Sequence, residues 1–340
     1  MTVPVWAWAL TILAILAMLA IDYIGHVRTP HAPTLREAAR WSAIYIAVAL
    51  VFGVVVWAAW GGEYAGEYFA GYVTEKSLSV DNLFVFVLIM SSFRVPREYQ
   101  QKVLLVGITV ALVLRTAFIV AGAALIASFS WVFYLFGAFL VWTAIAQLRH
   151  AAEHEEEFHE NGVLRLVRRV LPTTPAYEGD RLTTRVDGKR LITPMLVVMV
   201  AIGSADLLFA VDSIPAIFGL TEQTYLVFAA NAFSLLGLRQ LFFLVDGLLD
   251  RLVYLGYGLA AILGFIGIKL LVHALHTNEL PFVNHGHHVT VVPEIPTAAS
   301  LAFIVVVLGI TTAASLYRDR RVRALHATQS HERDIEQREN

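Results

Sequence analysis

The sequence predicts an all-α polytopic membrane protein with about nine transmembrane helices, its N-terminus outside and its C-terminus inside. Three observations predict it. Of the 340 residues, 58% are hydrophobic and only 15% are charged, where a soluble domain carries about 25% charged residues. Apolar stretches recur along the chain, each near the roughly 20 residues that cross a bilayer. The Lys and Arg residues outside those stretches fall only in alternate loops.

The spans lie near 4–24, 41–60, 68–92, 103–127, 130–148, 193–218, 224–247, 252–275 and 297–317, with boundaries good to about three residues. The first lacks a cationic stretch before its apolar run, so it is expected to be a retained span and not a cleaved signal peptide. Arg28, Arg36 and Arg40 follow it; Arg94, Arg97 and Lys102 follow the third. Arg149 to Arg190 follow the fifth, Arg251 the seventh, and Arg318 to Arg338 the ninth. The loops after spans two, four, six and eight hold no Lys or Arg. Positive charge stays cytoplasmic, which orients the chain.

Residues 1–320 read as one transmembrane domain and 321–340 as a cytoplasmic tail, a frayed helix or disordered. Residues 149–192 form a charged cytoplasmic linker, with a Glu/His run from His150 to Glu160. Such a run is most often a solvated charge face. It also leaves room for a cytoplasmic partner, as the chain does for a homo-oligomer. With His285, His287 and His288 in an outer loop, it could gather metal at a mouth of the protein.

Two segments inside the spans match each other. One runs Glu75-Lys76-Ser77-Leu78-Ser79-Val80-Asp81-Asn82, the other Asp206-Leu207-Leu208-Phe209-Ala210-Val211-Asp212-Ser213. In each, two carboxylates lie six positions apart and a small polar residue follows the second. The match continues as Leu114-Arg115-x-x-Phe118 and Leu238-Arg239-x-x-Phe242. Spans 3–5 (about 68–148) and 6–8 (about 193–275) therefore read as three-helix repeats. Because three is odd, the repeats are inverted, a recurring transporter design with its site at the midplane.

Carboxylates in hydrocarbon cost several kcal/mol, so they usually face a functional interior. Glu75, Asp81, Asp206 and Asp212, with Asn82 and Ser213 beside them, form an oxygen-rich candidate metal site. Oxygen ligands suit Mg, Ca and Mn, and the absence of Cys disfavours softer ions. Asn231, with Ser234 nearby, either adds a ligand or hydrogen-bonds neighbouring helices. Lys76, Arg115 and Arg239 are candidate intramembrane counter-ions; they hold the acids as internal salt bridges or replace a departing ion. Lys269 reads as a snorkelling side chain. On a regular helix, positions six apart point about 120° away from each other. Either a helix is interrupted near its acids, as Gly203 and Pro215 suggest, or the acids serve different surfaces of one cavity. The chain has neither a His-Glu-x-x-His motif nor a phosphate-binding glycine loop, so it reads as no enzyme and has no cofactor of its own. It offers no sign of nucleic-acid binding.

The two acidic segments resemble the signatures of the TerC family of integral membrane proteins, as do Asp212-Ser213-Ile214-Pro215 and Asn231-Ala232-Phe233-Ser234. The resemblance implies a place in the lysine-exporter superfamily, manganese efflux, and a link to tellurium resistance. It implies that Glu75, Asp81, Asp206 and Asp212 form the metal path, with Mn²⁺ or another divalent cation as the transported substrate, in a bacterial inner membrane. Tellurite is an anion that carboxylates bind poorly, so that label reads as a phenotype. A scaffold or stress-complex subunit, or an exporter of an organic solute, remain the alternatives.

Overall fold

A computed structural model of the chain describes residues 1–27, 33–129, 131–153, 181–186, 189–245, 254–278 and 292–339, with isolated positions between them. At 26–27, 81, 84, 150–153, 185–186, 189–190, 245 and 319–339 the description is of the backbone alone. The Glu/His run from 154 to 160 and His285 lie outside the described residues.

The helices are α1 (Val5–Asp22, continued by a π-helical turn Tyr23–Val27), α2 (Leu35–Trp60), α3 (Gly62–Ser92), α4 (Arg97–Ser128) and α5 (Val132–Glu153). An antiparallel hairpin of β1 (Thr183–Val186) and β2 (Lys189–Ile192) follows in the linker. Then come α6 (Pro194–Phe218), α7 (Thr224–Leu236), α8 (Leu238–Val245), α9 (Leu255–His276) and α10 (Thr297–Glu339). Among the described residues eight spans are long and apolar enough to cross a membrane, with α7 and α8 together making one. The ninth expected span, 68–92, lies within α3. That helix has the length, 31 residues, but carries Glu75, Lys76 and Asp81 in its middle. The tail, expected as a frayed helix or as disorder, continues α10 as helical backbone to Glu339.

Local chemistry sets the element ends. The Thr34 side chain accepts from the Glu37 amide and caps α2. Gly61 joins α2 to α3 at φ 99, a left-handed conformation that only glycine adopts cheaply. Pro96 and Pro194 sit where α4 and α6 begin, positions with no helical partner for an amide.

α7 is the centre. Every residue from Tyr225 to Leu236 is buried. The larger apolar core joins α2, α3, α4, α6 and α7; a second joins α5, α9 and the end of α6. α3 packs along α7, and α4 along α6. α3, with the first acidic segment, therefore lies against the span that carries Arg239, and α6, with the second, against the one that carries Arg115. α1, α2 and α10 are peripheral and expose Leu13, Leu16, Val51, Val54, Val305 and Ile310, as lipid-facing surfaces must.

Inside a bilayer apolar burial does not drive helices together, so close packing must. The α5–α9 contact shows how. A methyl placed on Gly137 would lie 2.9 Å from the Gly267 carbonyl oxygen, and one on Gly267 would lie 3.0 Å from the Gly137 oxygen. Only hydrogen fits on either side. Gly267→Val is expected to push α5 from α9 and to cost about 1–3 kcal/mol. The thermal unfolding midpoint in detergent checks this; an unchanged midpoint would refute the close-packing account.

Candidate functional site

Glu75 on α3 and Asp206 on α6 are both buried, and Arg115 on α4 reaches both. Arg115 Nε donates to Asp206 Oδ2 at 2.9 Å and Nη2 to Oδ1 at 3.1 Å, a bidentate fork. Nη1 donates to Glu75 Oε1 and, at 3.1 Å, to Ser213 Oγ. The Arg115 side chain has no solvent access. Planar, paired donors of this kind match carboxylates, and the low dielectric strengthens the bonds.

Neither acid-bearing helix is interrupted. α3 and α6 run straight through their motifs. In α3, Ser77 Oγ donates to the Val73 carbonyl one turn back and leaves the helix intact. In α6, Pro215 lacks the amide that would bond the Val211 carbonyl, yet the helix continues past it to Phe218. The two acids of α6 differ in exposure. Asp206 is buried, whereas Asp212 is half-buried; the Asp81 side chain lies outside the described residues. The break lies in the following span, at Gly237 between α7 and α8. There Lys76 Nζ donates to the Ser234 carbonyl at 3.0 Å. The Gly237 amide turns back to the Leu235 carbonyl, Lys76 takes that of Ser234, and a cation suits this helix end.

Several buried polar atoms on α3 and α7 are unpaired. Thr74 Oγ1, Glu75 Oε2, Ser79 Oγ and Asn82 Nδ2 on α3 have no hydrogen-bond partner among the described residues. Neither do Ser234 Oγ and both side-chain amide atoms of Asn231 on α7. Buried polar atoms are normally paired, so a band of unpaired ones calls for a ligand or water. Among the described residues no three His, Asp or Glu are grouped to hold a metal. The guanidinium occupies the point where Glu75, Asp206 and Ser213 meet.

The second arginine serves a different acid. Arg239 Nη2 donates to Asp22 Oδ1 at 2.8 Å and Nη1 to Gln101 Oε1 at 2.9 Å. The same Asp22 oxygen accepts from Tyr45 Oη and from Gln240 Nε2 at 3.2 Å. This hub ties α1, α2, α4 and α8 together. Sequence reasoning gave Arg239 to the motif acids and passed over Asp22. The signal was there: Asp22 is an acid at the end of an apolar run.

The two ends of the molecule differ. Where α3 begins and α6 ends, a cavity of about 690 Å³ is lined by Glu63, Glu67, Glu222, Glu294, Lys269 and His273, among others. Thr221 Oγ1 donates to Glu67, and His273 Nε2 lies 3.0 Å from Glu222 Oε1. The His273 contact holds the Glu222 carboxyl below the usual carboxylate range, against the opposing effect of burial. His273 Nδ1 lies 3.4 Å from Glu294. Lys269 thus lines a polar cavity. At the other end, beside Arg239, Gln101 and Trp41, the space is about 10 Å³. His288 Nδ1 and the His276 carbonyl are in contact near the cavity end.

Residues 60–323 match the family described as integral membrane protein TerC. The chain belongs to the TerC family of integral membrane proteins. It is 55% identical over 316 residues to an uncharacterized membrane protein of Mycobacterium tuberculosis, covering 92% of this chain and 79% of that one. An uncharacterized membrane protein of Myxococcus xanthus is 40% identical over 313 residues, with 92% of each chain covered. A Salmonella typhi protein named "Putative membrane-bound redox modulator Alx" is 37% identical over 332 residues, covering 93% and 97%. No solved structure matches this TerC chain.

Removing one partner of a buried pair strands the other's charge, which typically costs 3–5 kcal/mol, whereas an apolar pair of similar volume is nearly neutral. Asp22→Asn is accordingly expected to lower stability by about 3 kcal/mol, and Asp22→Leu combined with Arg239→Met to recover most of it. Unfolding of the single and double variants in detergent measures the difference. Equal losses in both would show that the hub is not a charge pair.

Proposed function

We propose that the chain is a secondary exporter of a divalent cation, with Mn²⁺ the expected cargo, in a bacterial inner membrane. The observation that carries this reading is the meeting of Glu75 and Asp206 at one buried point. They are the equivalent first acids of two matching motifs, brought in from different halves. Structural stability is a weak reason to keep charge in hydrocarbon. The buried, unpaired oxygens of Glu75, Ser79, Asn231 and Ser234 are further hard donors on α3 and α7. Asp81 and Asp212 are the expected central ligands, with Glu75, Asp206, Asn82, Ser213 and Asn231 completing the set.

The packing of α3 on α7 and of α4 on α6 supports a two-fold relation between inverted halves. On the orientation that the cations imply, the 690 Å³ cavity faces outside and the Asp22–Arg239 hub closes the cytoplasmic end. Alternating access then rocks one repeat against the other.

A second reading, a membrane scaffold or stress-complex subunit without transport, is favoured by one fact. Arg115 holds both oxygens of Asp206, one of Glu75 and the Ser213 hydroxyl, as a structural clamp would. The relatives' name points to redox modulation; this chain has no Cys, so thiol chemistry is not open to it.

Mn accumulation in cells lacking their own exporters decides the site. Wild type is expected to protect such cells, and Asp81→Asn and Asp212→Asn to lose protection. Variants that protect as well as wild type would overturn the assignment. Purified protein in liposomes that moves no metal would favour the scaffold.

A further inference from the structure

Arg115 does more than balance charge, because of which atoms it holds. Its Nε and Nη2 take both oxygens of Asp206, and its Nη1 takes Glu75 Oε1 and Ser213 Oγ. These are the atoms that would ligate a cation. A guanidinium and a metal cannot share them, so a ligand must displace Arg115. We propose that Arg115 is a tethered counter-cation that sets the charge of the ligand, excluding monovalent ions and yielding only to a divalent one. This rests on the proposed function and adds selectivity to it.

The argument is one of charge. Two carboxylates with Arg115 leave one net negative charge at the buried pair. Replacing Arg115 by Na⁺ or K⁺ leaves the same net charge and gives up the guanidinium's hydrogen bonds. The ion must also compete with a group whose effective concentration is fixed by its own chain. A divalent cation neutralises the pair completely, and its attraction to each carboxylate is doubled at equal distance. The second oxygen of Glu75 shows where exchange begins. Oε2 is buried and has no hydrogen-bond partner among the described residues, while Oε1 is held by Arg115. An arriving cation can engage Oε2 before the guanidinium leaves. A static clamp would need neither a spare oxygen nor a competitor of matching chemistry.

The test is calorimetric Mn²⁺ binding to the full-length protein in detergent. It is run in choline chloride and in NaCl at equal ionic strength. Wild type is expected to give the same Kd in both. Arg115→Met should bind Mn²⁺ at least about tenfold tighter in choline chloride, because nothing need be displaced, and should lose most of that gain in NaCl. Arg115→Lys keeps a tethered charge without the fork, so it should bind about threefold tighter than wild type and stay indifferent to Na⁺. An Arg115→Met protein whose affinity is unchanged or weaker, or that gains affinity without gaining Na⁺ sensitivity, overturns the proposal. Should Arg115→Met not fold, Arg115→Lys decides alone, and an unchanged or weaker Kd, or sensitivity to Na⁺, refutes it. A wild type that binds no Mn²⁺ sinks the transport reading itself. A wild type that binds, with variants that fail these expectations, sinks only the role of Arg115.

Discussion

A guanidinium with no access to water holds the centre of this protein. Arg115 costs several kcal/mol to desolvate, and only well-aligned anions on both sides can offset that. Glu75 and Asp206 supply them from helices about 130 residues apart in the chain. The contact therefore requires α3, α4 and α6 to lie side by side at one depth. The rest of the core follows: α4 runs along α6, α3 along α7, and α7 is buried on every side between them.

The same constraint explains why the motif helices stay regular. An interruption would add unpaired backbone groups to a region that already holds several unpaired side-chain atoms, and hydrocarbon offers none of them a partner. The chain breaks instead at Gly237, where Lys76 supplies a donor to the buried end of α7. The hub of Asp22, Tyr45, Gln101, Arg239 and Gln240 lies just past that break. It gathers four helices at the end where the space is about 10 Å³, while the far end opens into 690 Å³.

The sequence by itself determined the class and the spans. Hydropathy depends on local composition, and an apolar stretch of sufficient length has few alternatives to a helix in lipid. It also marked Glu75, Asp206, Arg115 and Arg239 as the charges to follow, because ionisable residues in apolar runs are conspicuous in one dimension. The six-residue spacing left two geometries open, and proline and glycine near the second motif pointed toward an interrupted helix. That inference failed at Pro215: the helix continues past it to Phe218 despite the missing amide.

Only the tertiary structure decided who pairs with whom. Arg115 and Arg239 occupy matching motifs, yet one holds Glu75 and Asp206 and the other holds Asp22 and Gln101. Nothing in the sequence separates them, because an ion pair depends on the depth and rotation of helices whose loops do not fix either. Asp22 and the cavity acids Glu67, Glu222 and Glu294 were likewise invisible as a group, each looking like a charge at the end of a span. Local pattern dictates where a helix forms; which faces meet is settled by packing across the whole bundle, where an unpaired charge costs more than any local preference can supply.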